Sequence, residues 1–186
     1  MSYTSLIIFK DGKADGQVEF RNAWGGSARI WDALFNAYVP KRGPYDSWLT
    51  GNSDDKRLWD LADSKELTDS ERAVHAFTFD LFYVRNEHLS KLAADLRAFV
   101  TKYPCPEKVD HLPMWAQWIE SNSTIEAVGL YGTSVAENLW YRNKSCPHCG
   151  HALDETEPVS LTDGIEVYDW LAARDQLQCS GRLSGA

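Results

Sequence analysis

The stretch NKSCPHCGHALDE, residues 143–155, gathers two of the chain's four cysteines and two of its five histidines into six positions. Thiolate sulfur and imidazole nitrogen are the donors a tetrahedral zinc ion takes, and a CxxC spacing lets two sulfurs on one tight turn reach the same ion. Cys146 and Cys149 are therefore candidate metal ligands, with His151 and Cys179 as the partners expected to complete the shell and Cys105 as a substitute. Zinc held by four protein ligands stabilises a fold and leaves no open position for a substrate.

Cys146-Pro147-His148-Cys149-Gly150 resembles the CPxCG knuckle of zinc ribbons, in which glycine admits the backbone turn that follows the second thiolate. A complete ribbon carries a second knuckle, and the chain has none, so the resemblance implies the turn and the metal without the ribbon fold. The letters Cys-Pro-His-Cys also resemble the redox motif of periplasmic thiol oxidases. There a helix follows the motif; here Gly150 and Pro158 interrupt it and the acidic residues nearby oppose a thiolate. Reduced thiols on a plain turn are the remaining reading.

Other chemistry is sparse. His75, Asp80 and His88 lie near one another in the chain and, with Cys149, compose a nucleophile, base and orienter only on paper. Gly25 and Gly26 precede a predicted helix, where free amides can hold an anion. Together these support an alternative reading as a small enzyme acting on a nucleotide-like metabolite. No GxSxG, HExxH, Walker A or GxGxxG pattern accompanies them.

Net charge is −8, which disfavours direct binding to nucleic acid or to anionic lipid. Residues 152–176 hold seven acidic side chains against Arg174 alone, six of the eight net negative charges. Asp163, Glu166 and Asp169 are expected on one face of a last helix, edged by Trp170, with Trp140 and Tyr141 as aromatic anchors. Tyr45 and Trp48 form a second such pair. That combination predicts a non-enzymatic module that binds a protein partner through its basic surface. In size, acidity and aromatic content the chain resembles small accessory proteins of phages and mobile elements, anti-CRISPR-type inhibitors among them. That resemblance implies an inhibitor occupying a basic site of a nucleic-acid-handling protein; a zinc-stabilised structural subunit is the third reading.

The elements that must position these residues follow from periodicity and turn chemistry. SLIIF and GQVEF flank KDGKADG and predict an N-terminal β-hairpin over about residues 5–20. Ile30, Trp31, Leu34, Phe35 and Tyr38 recur at helical spacing behind Ser27 as N-cap, and Pro40 ends the run. A loop over 40–57 follows. Thr68 and Glu71 form a capping box for a short helical turn leading into a strand within 73–84, favoured by Phe77, Thr78, Phe79, Tyr83 and Val84, and Asn86 caps a helix over about 87–101. Pro113 opens a helix, IEAVGLYGTS reads as a strand, and Asp163 with Glu166 forms the box for the last helix. The fold class is α+β or α/β: a mixed sheet covered by amphipathic helices. Residues 1–141 are expected as the body, and 142–186 as a cysteine-bearing turn plus acidic helix packed on it. No leader and no membrane-spanning run is legible, so the expected location is cytoplasmic, away from membranes.

Overall fold

Asp11 and Gly12 turn the first hairpin with φ of 50° and 74° in a computed structural model, which describes residues 2–48, 56–132 and 138–179. Two successive left-handed residues match the twist of the flanking strands, which is why Asp-Gly serves here. The strands are β1 (Tyr3–Lys10) and β2 (Lys13–Arg21), antiparallel from Tyr3↔Arg21 to Lys10↔Lys13. Glu126 accepts a 2.9 Å hydrogen bond from the Gly12 amide and ties the turn to the body.

After α1 (Ser27–Tyr38), α2 (Lys56–Trp59) and α3 (Asp69–Ala76), the chain enters β3 (Phe82–Arg85) and passes directly into α4 (Asn86–Lys102). Then come α5 (Leu112–Ser121), β4 (Ala127–Gly132), a hairpin of β5 (Tyr141–Ser145) and β6 (Ala152–Pro158), two residues of β7 (Ile165–Glu166), and α6 (Val167–Cys179). The main sheet has the order β2-β1-β4-β3-β7; all its pairs are antiparallel except β3 with β7. This is an α+β fold, a mixed sheet with surrounding helices and an N-terminal hairpin.

Alternation along the strands sends side chains to two covered faces. Leu6, Phe20, Phe82, Val84, Val128 and Leu130 join the large core beneath the helices. Ile7, Phe9, Tyr83 and Ala127 point the other way, to a smaller core closed by Trp140, Val159 and Leu161. Trp140 lies flat enough on β4 that a Cβ at Gly129 would come 2.6 Å from its ring, so glycine is required there.

Several helix starts differ from the sequence pattern. The Thr68–Glu71 capping box forms in full. Ser27 is the first residue of α1 and Gly26 its cap. Asn86 does not cap α4; its Nδ2 donates to the carbonyls of Ser123 (2.5 Å) and Ile125 (2.7 Å), holding the α5–β4 connection instead. The expected Asp163–Glu166 box is absent, because Asp163 closes a 3-10 turn and Glu166 pairs in β7 against Tyr83. Within residues 141–179 the β5–β6 ribbon forms its own two-stranded sheet, while β7 completes the main sheet and Arg174, buried in α6, donates to the Ala62 carbonyl.

His75, read from the sequence as a candidate base, is a core ring with no exposure. It stacks on Trp59 (6.0 Å between centroids, 7° between planes) and meets Phe79 edge-on. Neither ring nitrogen has a hydrogen-bond partner, and burial pushes its pKa down to about 3 from 6.5. The folded state therefore refuses a proton that the unfolded chain accepts. Stability from this site is complete above pH 6.5 and drains as pH falls toward 3, by up to about 1.4 kcal/mol per pH unit. Denaturation measured from neutral pH downward should show this slope in the wild type and a shallower one in His75→Leu; equal slopes would assign the acid sensitivity to other groups.

Candidate functional site

Two strands that run parallel, side by side, each pass without a loop into a helix: β3 into α4, and β7 into α6. The first junction supplies Arg85, Glu87 and His88; the second supplies Glu166. Glu166 is 4% exposed. Its Oε2 accepts from Arg85 Nε at 3.0 Å, whereas Oε1 is buried with no hydrogen-bond partner. His88 Nε2 is the near neighbour of that oxygen, at 3.7 Å, and also lies 3.9 Å from Glu87 Oε1. Both distances are too long for hydrogen bonds. Glu87, His88 and Glu166 each place one ligand atom within 4.8 Å of the others, which makes them the single trio of its kind among the described residues and a cluster able to chelate a metal ion.

Support for the cluster comes from behind. The His88 ring lies 4.9 Å from the Tyr168 ring, and the Tyr168 hydroxyl donates to Asp95 Oδ2 at 2.7 Å. Asp95 is held in turn by Lys91 and Ser70. Burial and then the Asp169 charge push the Glu166 carboxyl up, against the pull of His88 and Arg85. A carboxylate in that position gains from a proton or a cation. The signal available in the sequence was two strand-to-helix junctions bearing a histidine and acids; their pairing, 78 residues apart from His88 to Glu166, was not legible.

The thiol pair sits at the tip of the β5–β6 ribbon. Cys146 N–H donates to the His151 carbonyl at 2.8 Å, Gly150 N–H donates to the Cys146 carbonyl at 2.9 Å, and Gly150 has φ +75°. The amides of His148 and Cys149, then the Cys149 thiol, donate toward Cys146 sulfur and pull its pKa below the usual thiol range. Cys105, Cys146 and Cys149 are free thiols. Among the described residues no third donor closes around the pair: His151 contributes its carbonyl to the turn, and Cys105 lies far along the chain on the wall of a groove beside α1. The Cys179 side chain lies outside the described residues.

The expected partner-binding residues separate. Trp140, read as an exposed anchor, is 1% exposed: its Nε1 donates to the Leu130 carbonyl at 2.8 Å and its ring meets Phe9 edge-on. Glu166, read as part of an acidic helix face, is buried against Arg85. Both are withdrawn from any partner. Asp163 is exposed and lies 3.6 Å from Arg142, Asp169 is exposed in the first turn of α6, and Trp170 is half-buried edge-on to Phe79 and Phe82. They do not form one helical face, because the chain is extended through β7 before α6 begins. Tyr141 is half-buried at the foot of the ribbon. Tyr45 is 87% exposed, and Trp48 packs edge-on to Trp31.

At the Gly25–Gly26 start the two glycine amides are engaged within the chain, Gly25 donating to the Asn22 carbonyl and Gly26 to the Ala23 carbonyl. His75, enclosed in the core, opens onto no groove beside that start among the described residues. No helix among them is long and apolar enough to cross a membrane.

The fold and its junction cluster thus define a mixed α+β protein with a metal-competent trio of side chains. Comparison with known protein families, with curated proteins and with solved structures finds no match to the chain.

Proposed function

We propose that the chain is a non-enzymatic protein-binding module of the cytoplasm that docks its acidic β5–β6 ribbon on a basic surface of a partner. The observation that supports this reading is the exposure of β6 at all seven positions. The strand carries Asp154, Glu155 and Glu157, and Leu153 adds an apolar contact at 39% exposure. Lys144 on β5 pairs with Glu155 at 2.9 Å and neutralises one of these acids, while Arg142 is engaged by Asp163 outside the ribbon. An acidic ribbon of this kind complements a surface built to hold phosphates, and occupying it makes the chain an inhibitor of a nucleic-acid-handling protein. The likeness in composition to phage and mobile-element accessory proteins agrees with that role.

Zinc on Cys146 and Cys149 holds the ribbon's tip in this reading. The amides aimed at Cys146 sulfur favour the thiolate, the form that ligates. Two thiolates fill half of a tetrahedral shell, and the rest falls to the His151 ring once it turns toward the pair and to a donor beyond the ribbon, Cys179 or a partner residue.

With the partner identified by co-purification, association rates at low and high salt test the proposal. Reversing Asp154, Glu155 and Glu157 to lysine is expected to slow association by on the order of tenfold or more at low salt. The fold should be unaffected, since all three side chains are exposed. Rates that neither fall in the variant nor depend on salt would sink the reading.

A further inference from the structure

We propose that Glu87, His88 and Glu166 form a binding site for a divalent first-row metal ion, independent of the thiol pair and open to solvent on the Glu87 side. The trio is more than a patch of acids. Glu166 is almost wholly buried, yet its Oε1 has no hydrogen-bond partner and lies nearest the one ring nitrogen in the cluster. Burying a carboxylate oxygen without a partner is costly, and a cation between Oε1 and His88 Nε2 removes that cost.

Geometry agrees. Metal–ligand bonds of about 2.1 Å put adjacent donors roughly 3–3.6 Å apart. The 3.7 and 3.9 Å separations to His88 need to contract by a few tenths of an ångström, and the Glu87–Glu166 separation, within 4.8 Å, closes as the exposed Glu87 side chain turns inward. Arg85 occupies Oε2, which turns Oε1 toward the site, and Tyr168 packs on the imidazole; both act as the outer supports that orient ligands in metal centres.

Charge and donor type choose the ion. Glu87, Glu166 and the neighbouring Asp169 carry three negative charges against one on Arg85, a surplus that matches a dication when His88 is neutral. One imidazole with two carboxylates suits manganese, iron or zinc, while calcium and magnesium prefer oxygen alone. Three protein ligands leave at least one position for water or for an oxygen donor of a bound molecule.

Manganese separates this site from the cysteine knuckle, because it favours oxygen and nitrogen over thiolate. Full-length chain carrying Cys146→Ser and Cys149→Ser, stripped with chelator, is titrated with Mn2+ by calorimetry and by loss of the free-ion electron paramagnetic resonance signal. One ion per chain is expected, with affinity lowered on the order of tenfold or more by His88→Ala and by Glu166→Gln. Glu87→Gln provides the variant that cannot be dismissed as misfolded, since that side chain is exposed. Retained secondary structure with weakened binding in Glu87→Gln supports the site. Absence of Mn2+ and Zn2+ binding at millimolar concentration, or affinity unchanged from the parent chain in Glu87→Gln and His88→Ala, overturns it. Partner binding plays no part in the measurement, so the docking proposal and this one fail separately.

Discussion

Replacing Glu71 with alanine is expected to lower the stability of the fold by about 3–5 kcal/mol, the range for removing one member of a buried ionic network. Glu71 is 1% exposed. One of its oxygens accepts from the Tyr38 hydroxyl at 2.8 Å, from Lys102 Nζ at 2.9 Å and from the Tyr103 hydroxyl. The other accepts from the Thr68 amide and hydroxyl at 2.9 and 2.7 Å, which also caps α3. One side chain thus joins α1, α3 and the end of α4. Burial pushes its carboxyl up, but the hydrogen bonds from Thr68, Tyr103 and Lys102 outweigh it and hold the pKa at about 2, below the usual 4.5. The folded pKa is the lower one, so this contribution is complete above pH 4.5 and is lost as pH falls toward 2. Urea denaturation of wild type and Glu71→Ala should show a stability difference that shrinks across that window; a difference below about 1 kcal/mol at neutral pH would mean that water replaces the network without loss.

Trp140→Ala is expected to cost a similar amount, about 3–5 kcal/mol, by emptying the smaller core on the other face of the sheet. The indole covers Gly129, abuts Phe9 and donates to the Leu130 carbonyl. A double-mutant cycle with Gly129→Ala isolates the contact. The added methyl collides with the ring in the wild type, whereas in Trp140→Ala it enters the space the ring has left, so the two changes should be far from additive. Additive losses would show that Gly129 matters for its backbone and not for the ring above it.

These two residues also mark where sequence reading succeeds and fails. Thr68 and Glu71 are three positions apart, and their capping box could be read because its chemistry is local; the three further donors come from Tyr38, Lys102 and Tyr103 and could not. The N-terminal hairpin, the helix beginning near Asn86 and the mixed sheet followed from turn residues and periodicity in the same way, though the strands run further into KDGKADG than the reading placed them, to Lys10 and Lys13. Trp140 sits among polar neighbours in AENLWYRN and reads as an exposed anchor, because nothing nearby reveals that Gly129 has cleared room for it. Glu166 reads as a helix-face acid because VYDWLAARD continues its pattern, yet two residues of parallel pairing with β3 bury it beside Arg85. The ribbon that bears the cysteines was legible only as a turn, since its strands are polar and mostly exposed and carry no apolar alternation.

The pairing of β3 with β7 has a kinetic side. Phe82 meets Ile165 and Tyr83 meets Glu166 after some eighty intervening residues, the one parallel junction in a sheet otherwise built from antiparallel neighbours. Bringing such distant segments together spends chain entropy before any contact repays it, and two rungs repay little. β1 and β4 close a longer interval but share six paired positions, whereas β7 is held to the sheet by two. The docking of β7 is what brings Glu166 beside Arg85 and His88. The cluster at that junction therefore depends on the most briefly paired edge of the sheet.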